Sequence, residues 1–348
     1  MSTPQNFVSI PVVDVSALLG NDDSEKQKVA AELGAAARDV GFLYIRGHGI
    51  SDALFEQLVD AAKRFFAQPS DTKMEVYIGN SKNHRGYVPE GEEVFASGSK
   101  DRKEAYDLSI DLPATDADYL AGNPLLGPNQ WPDLPGFREA VGSYYEAVFH
   151  LGRMLMRGFA SALGEAPDVF DRHLTKPPSQ LRLIHYPFDA TAEDRMGIGA
   201  HTDYECFTLL KSTSAGLEVM NGAGEWIDAP PAPGAFIVNI GDMLEIMTNG
   251  HFVATSHRVR KVKEERYSFP LFFALDYHTE VKPLNRFISA ERPARNRLVA
   301  GDHLFAQTVQ TFGYQKARLA RGEIALPANS LELASFGRDA LVSTAPQV

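Results

Sequence analysis

The chain has 348 residues, 34 Lys and Arg against 45 Asp and Glu, a formal net charge of −11, and 44% hydrophobic residues. That size and apolar content suit one large folded unit or two moderate ones and exclude a disordered chain. The acidic balance disfavours nucleic acid and anionic membranes as partners and leaves small molecules, since the densest basic stretch, Arg258 to Lys263, runs straight into Glu264 and Glu265.

In chain order, Val8 to Asp14 alternates like a short strand. Ser24 to Val40 carries Val29, Leu33, Ala36, Ala37 and Val40 at helical spacing, and Gly41 marks the stop. Phe42 to Arg46 reads as a strand. Ser51 caps a second helix with Leu54, Leu58, Ala61, Phe65 and Phe66 on one face. Pro135 to Leu163 predicts a third, long helix. After Leu181 the period changes to two. Short strands are expected at 181–186, 208–210, 217–220, 236–240, 252–259 and 267–275, between Gly, Pro and Asn turns. Such a run predicts a jelly roll or barrel. Gly301 to Arg321 reads as one closing helix.

The expected fold is therefore mostly β with α. It comprises an N-terminal helical, α/β region over 1–175, a jelly-roll core over 176–283 and a C-terminal helical tail over 284–348. One cysteine, Cys206, excludes an internal disulfide and any multi-cysteine metal site. The N-terminus lacks the basic and apolar blocks of a signal peptide, and no apolar run approaches a membrane span. A reducing cytoplasm is the expected compartment. The sequence carries no signal for the oligomeric state.

His201-Thr-Asp203 is the centre of the expected chemistry. Residues two apart on a strand project from one face, so this pair can offer an imidazole and a carboxylate to one ion. His257, in Thr255-Ser-His-Arg-Val259, is the best third ligand, and the other histidines read as structural or solvated. Glu205 rivals Asp203 because it falls on the same expected strand face; Asp203 is preferred for its shorter arm. Cys206 falls on the opposite face, as a small core residue. Two His and one carboxylate leave three octahedral positions open, the arrangement of iron(II) oxygenases.

H-x-D alone is a common chance pattern. A second constellation, Arg266-Tyr-Ser268, adds weight because it lies shortly behind His257 on an aromatic strand. Arg266 and Ser268 share a face, where a guanidinium fork and a hydroxyl can grip one carboxylate. The distal carboxylate of a metal-chelating 2-oxoglutarate needs such a grip.

With these residues in view, the chain resembles the isopenicillin N synthase-like branch of the iron(II)/2-oxoglutarate dioxygenases. The resemblance rests on ordered stretches from about residue 8 to residue 320: Ile10 to Asp14, Gly41 to Gly49, Arg85-Gly-Tyr87, Leu181 to Pro187, Gly199 to Tyr204, Gly234 to Asp242, Thr248-Asn-Gly250, His257-Arg-Val259 and Arg266-Tyr-Ser268. It implies a double-stranded β-helix, iron(II) held by His201, Asp203 and His257, and 2-oxoglutarate anchored by Arg266 and Ser268 with help from Tyr186. Turnover would then consume O2, release succinate and CO2, and oxidise a C–H bond of a small metabolite. Two departures stand out. Ile184 occupies a position where plant members often carry asparagine, and Glu205-Cys206 replaces a commonly found glycine. In such enzymes the helical front selects the substrate; Arg85, Tyr87, Glu92, Tyr106 and Arg182 are the candidates, with Arg85 and Arg182 preferred.

Four other readings compete. An oxidase of the isopenicillin N synthase type would use Arg266 and Ser268 on its substrate and need no 2-oxoglutarate. An ethylene-forming variant finds a faint echo in Gly91-Glu-Glu93. A zinc hydrolase could use the same three ligands but would leave Arg266-Tyr-Ser268 without a purpose. A non-enzymatic metal-binding jelly roll would leave both the open positions and the anchor idle.

Overall fold

Two β-sheets stacked face to face form the body of the protein. The computed structural model describes residues 4–93, 103–188, 196–260, 263–295, 297–328 and 330. The larger sheet has eight strands in the order β1 (Val12–Asp14), β2 (Phe42–Arg46), β10 (Phe236–Ile240), β7 (Phe207–Ser212), β12 (Arg266–Phe273), β5 (Gln180–Tyr186), β4 (Glu104–Leu108) and β3 (Gly86–Val88). The smaller has four, in the order β6 (Met196–His201), β11 (His257–Arg260), β8 (Leu217–Met220) and β9 (Trp226–Asp228). Pairing is antiparallel throughout except for β1 on β2.

Alternation along the strands divides the apolar residues between two cores. Phe42, Tyr44, Leu210 and Ile237 from the large sheet meet Leu217, Val219 and Val259 from the small one. The opposite face of the large sheet, with Leu43, Ile45, Leu209, Val238, Phe269 and Leu271, packs on helices. These are α1 (Asp23–Asp39), α2 (Asp52–Phe66) and α5 (Phe137–Ala162); α3 (Ser70–Met74) and α4 (Ala117–Leu120) are single-turn connectors. α5 approaches the sheet so closely that a Cβ at Gly152 would stand 2.3 Å from the Phe273 ring, which reserves that position for glycine.

Local signals set the helix ends. Ser51 accepts the Leu54 N–H and caps α2, as expected from sequence. Asp22 accepts from Ser24 and Glu25 at the start of α1. Gly41, at φ +73°, turns the chain out of α1 into β2.

Several expected elements are altered. The first strand is confined to Val12–Asp14; Val8 is exposed and Pro11 has no N–H to give a ladder. Residues 252–256 are not a strand, because Val253 donates its N–H to Ala37 in α1, and β11 begins only at His257. The single closing helix is two, α7 (Ala300–Thr311) and α8 (Gly313–Ala320). Phe312 is extended between them, bridged to Glu93, and Gly313 gives its N–H to the Glu92 carbonyl. A tertiary hydrogen bond thus replaces the helical one. Among the described residues no helix is long and apolar enough to cross a membrane.

Candidate metal centre and co-substrate pocket

His201 ends β6 and stands directly opposite His257, the first residue of β11, with ring centroids 4.3 Å apart. Asp203 lies beyond the strand end, so the same-strand geometry expected for His201 and Asp203 stops at His201. The turn nevertheless carries the carboxylate back to both imidazoles. Asp203 Oδ1 is 3.7 Å from His201 Nε2 and 3.6 Å from His257 Nε2. The three ligand atoms lie within 4.8 Å of one another, and no other group of three such side chains does so among the described residues. Glu205, the rival carboxylate, is outside that group.

The surroundings suit a cation. His201 Nδ1 is 2.8 Å from the Gly199 carbonyl and His257 Nδ1 is 3.3 Å from that of Thr255. A carbonyl can only accept, so each Nδ1 carries the proton and each Nε2 lone pair is directed to the centre. Burial, reinforced by His257, holds the His201 imidazole down to about 4, which keeps it neutral, the form able to ligate a metal. Burial works against ionisation of Asp203, but the facing histidines and two donors outweigh it and hold the carboxyl below its usual range. Those donors are the Asn239 amide, 2.7 Å from Oδ2, and the Thr208 hydroxyl on the same oxygen. One carboxylate oxygen is therefore anchored and the other points to the histidines. Two nitrogens and one oxygen in this disposition fit an iron(II)-type ion with open positions.

The turn bearing Asp203 is itself clamped. Gly241, Asp242 and Met243, at the junction of β10 and α6 (Asp242–Met247), donate their N–H groups to the carbonyls of Cys206, Asp203 and Glu205. The approach is so close that a Cβ at Gly241 would stand 2.3 Å from the Glu205 carbonyl oxygen. Cys206 is buried in the core, as its position suggested.

Arg266, Ser268, Ile184 and Tyr186, the candidates for the co-substrate pocket, lie together on the inner face of the large sheet. Arg266 is paired across the ladder with Tyr186, and Ser268 with Ile184. The guanidinium is 1% exposed and stacks over the Tyr186 ring at 5.0 Å. Its Nε donates to the Ser214 carbonyl at 3.2 Å, while Nη1 is buried with no hydrogen-bond partner. No acidic side chain pairs with Arg266 among the described residues. A buried guanidinium with an orphaned N–H beside a buried hydroxyl is what a carboxylate ligand would complete. Ile184 puts an apolar side chain beside Ser268, so the hydrogen bond that an asparagine would supply there is absent.

A cavity of about 140 Å³ adjoins the metal cluster, bounded by His201, Asp203, Glu205, Phe272 and, from the tail, Leu304 and Phe312. A larger groove of about 620 Å³ along α2, near Lys63 and Lys211, holds none of His201, Asp203 and His257. Arg85 and Arg182 both line the cavity. Arg182 makes a two-pronged pair with Asp107, 2.7 Å on each arm, and a further ion pair with Glu93, which also holds Lys103 at 2.9 Å. Arg85 gives its terminal N–H groups to the carbonyls of Asn83, His84 and Leu125. The other three entrance candidates are structural. Tyr87 bonds Glu104, Tyr106 bonds the Gln130 carbonyl, and Glu92 holds Tyr77 and the Tyr314 N–H.

Sequence reading missed Asn239 and Thr208. Asn239 had a signal: it is the one polar residue in the fully buried run Phe236–Ile240, and a buried amide in such a run has a partner to hold.

Residues 177–275 match the 2OG-Fe(II) oxygenase superfamily, and residues 10–134 match the N-terminal region described as that of the non-haem dioxygenase in morphine synthesis. A homoarginine-6-hydroxylase of Arabidopsis thaliana is 35% identical over 87% of this chain and 89% of its own. The 2-oxoglutarate-Fe(II) type oxidoreductase hxnY of Emericella nidulans is 32% identical over 96% of this chain and 98% of its own. Among solved structures, a putative 2OG-Fe(II) oxygenase family protein from Caulobacter crescentus superposes with a TM-score of 0.77 at 31% identity, covering 87% of this chain and 99% of that one. A Neurospora crassa protein in complex with alpha-KG and thymine gives 0.73 at 26% identity, covering 90% and 97%. The chain belongs to the 2-oxoglutarate–iron(II) oxygenases: it is a jelly-roll dioxygenase that uses iron(II), 2-oxoglutarate and O2 to oxidise a small molecule.

Proposed function

We propose that His201, Asp203 and His257 hold the iron, and that Arg266, Ser268 and Tyr186 receive the distal carboxylate of 2-oxoglutarate. The observation that carries this is the buried Arg266 Nη1, without a hydrogen-bond partner, on the inner face of the large sheet, which packs against the small sheet that bears His201 and His257. When bound, iron(II) with 2-oxoglutarate and O2 supplies the oxidising power, yielding succinate and CO2. The protein's part is placement. Asn239 and Thr208 fix Asp203, the Gly199 and Thr255 carbonyls fix the histidine tautomers, and the apolar walls from Phe272, Leu304 and Phe312 exclude water.

The cavity volume suits a small metabolite. Relatives act on homoarginine, and the Neurospora crassa protein has been seen with thymine; both are small, polar and nitrogen-bearing. The acidic net charge and the single cysteine support a cytoplasmic enzyme that acts without a nucleic-acid or membrane partner. The division into residues 1–175, 176–283 and 284–348 is kept as a sequence division, since β1 to β4 join the sheet built by the middle part.

Adding iron(II) and 2-oxoglutarate without O2 should produce the visible charge-transfer band of the chelate. No band at saturating concentrations of both would remove the assignment. Asn239→Ala should weaken iron(II) binding about 10- to 100-fold, the usual cost of losing an outer hydrogen bond to a ligand. Metal titration checks this, and unchanged affinity would make Asn239 a packing residue.

A further inference from the structure

His84 and Arg85, consecutive on the cavity wall, are two donors that the metal centre does not use. His84 is 2% exposed and stands at φ +62°, a left-handed conformation uncommon for a non-glycine residue. Its ring packs edge-on against Phe312, and its Nδ1 is 2.5 Å from the Tyr314 hydroxyl. That hydroxyl accepts from the Gln315 amide at 3.1 Å, and its own proton has no other acceptor among the described residues. Tyr314 therefore donates to Nδ1, and the neutral ring carries its proton on Nε2. Burial, with Arg182, Arg85 and Arg318 outweighing Glu93, holds the imidazole well below its ordinary pKa and so neutral. Among the described residues Nε2 has no hydrogen-bond partner. Arg85 is 1% exposed; its terminal nitrogens go to three carbonyls, no acid bonds it, and its Nε is buried without a partner. The carboxylates that act on it, Asp107 and Asp111, are bonded to Arg182 and to Trp131 and Arg138. Neither Nε2–H of His84 nor Nε–H of Arg85 can accept a hydrogen bond, and the charge behind them is positive. A cationic or donor group has nothing to bond there, whereas an anionic oxygen supplies what both lack.

We propose that His84 is a specificity-determining residue: with Arg85 it forms an anion subsite in the cavity beside the metal centre and receives a carboxylate of the organic substrate. The assignment rests on the dioxygenase reading of the site given above. Tyr314, which does not line the cavity, is a positioning residue, because through Nδ1 it fixes which ring nitrogen presents the proton. The break between α7 and α8 then has a use. Extended Phe312 and the first turn of α8 bring both contacts onto the His84 ring.

The test is a ligand-observed NMR titration, without O2, of the intact chain loaded with iron(II) and saturated with 2-oxoglutarate, so that the Arg266 pocket is filled. The probes are pentanoate, pentanamide and pentylammonium, matched in length and different in the terminal group. Wild type should bind pentanoate about tenfold or more tighter than pentylammonium, the usual contribution of a hydrogen bond to a charged group, with pentanamide between them. His84→Asn tolerates the left-handed backbone but is too short to place a donor at Nε2, and should cut that ratio several-fold. His84→Gln carries an amide nitrogen out toward the place of Nε2 and should keep most of the preference, which separates a lost donor from lost folding. Tyr314→Phe should weaken the preference as well. NMR of the imidazole nitrogens, on the intact chain with zinc(II) in place of iron(II), should find the His84 proton on Nε2 in wild type and shared between both nitrogens in Tyr314→Phe. The assignment is overturned by equal or tighter binding of pentylammonium, by pentanamide matching pentanoate, by the absence of saturable pentanoate binding, by an unchanged ratio in His84→Asn, or by a wild-type His84 protonated on Nδ1. The chelate band keeps the two readings apart: a band without carboxylate preference sinks the role of His84 alone, and a missing band with the preference intact sinks the metal assignment alone.

Discussion

His201→Ala and His257→Ala should each lose turnover and stoichiometric iron while the fold survives. Both side chains converge on the metal cluster rather than fill a packed core, and each is held there by one carbonyl contact. Removing either leaves two donors, too few to hold a divalent ion against water with its open positions retained. Asp203→Ala should lose iron as well, but with a further cost. Asn239 and Thr208 would face an empty space, and each unsatisfied buried donor costs about 1–3 kcal/mol. Asp203→Asn, which preserves the shape, should therefore melt at a higher temperature than Asp203→Ala although both are inactive. Iron per chain by elemental analysis, melting temperature and succinate release decide the matter. A variant that keeps both its iron and its rate removes that residue from the ligand set.

The parts of the fold written in short-range patterns were legible in the sequence. α2 is the clearest case: a Ser51 cap and an apolar face repeating at helical spacing are local properties, and the helix has those bounds. The antiparallel strands β5 and β8 follow from alternation in the same way, and β10 from a short apolar run bounded by glycines. What escaped depends on partners distant in sequence. β6 carries Gly197 and Gly199 and has little strand propensity of its own; pairing with β11 makes it a strand. The break at Phe312 depends on Glu92 and Glu93, more than two hundred residues away.

The candidate site divides along the same line. The three donors and the Arg266–Ser268 pair were visible because their residue types and order are distinctive. The charges that surround the cavity were not, because Arg182, Asp107, Glu93 and Lys103 come from β5, β4 and the segments flanking it, and only the folded sheet brings them together. Arg182 was expected to meet substrate, and it reaches the cavity with its guanidinium already held by two acids. Glu205 was weighed as a ligand; its separation from the metal cluster and its position on the cavity wall are properties of the turn, which no strand periodicity describes.

Arg266→Gln should raise the 2-oxoglutarate requirement about thirtyfold or more, since truncating one partner of a buried charged pair costs roughly 2–5 kcal/mol. The guanidinium is fully buried and stacked on Tyr186, with one N–H on Ser214 and Nη1 awaiting an acceptor. Burial already holds its pKa below the ordinary arginine value, with Tyr186 offsetting part of that, so an anion arriving there relieves a standing cost. Glutamine is long enough to fill part of the space but brings neither the charge nor the fork. Arg266→Lys should rescue only in part, because an ammonium keeps the charge and loses the planar pair of donors and the stacking. Ile184, paired with Ser268, is apolar, so the carboxylate should depend on Arg266 and Ser268 more heavily than it would with an asparagine at that position. The measurement is succinate formed per oxidised product, together with the affinities for 2-oxoglutarate and for the organic substrate, in wild type and both variants. Loss confined to 2-oxoglutarate is the expected result. A weakened organic substrate with an unchanged 2-oxoglutarate requirement would instead mean that Arg266 grips the substrate, and that the 2-oxoglutarate carboxylate is held elsewhere on the inner face.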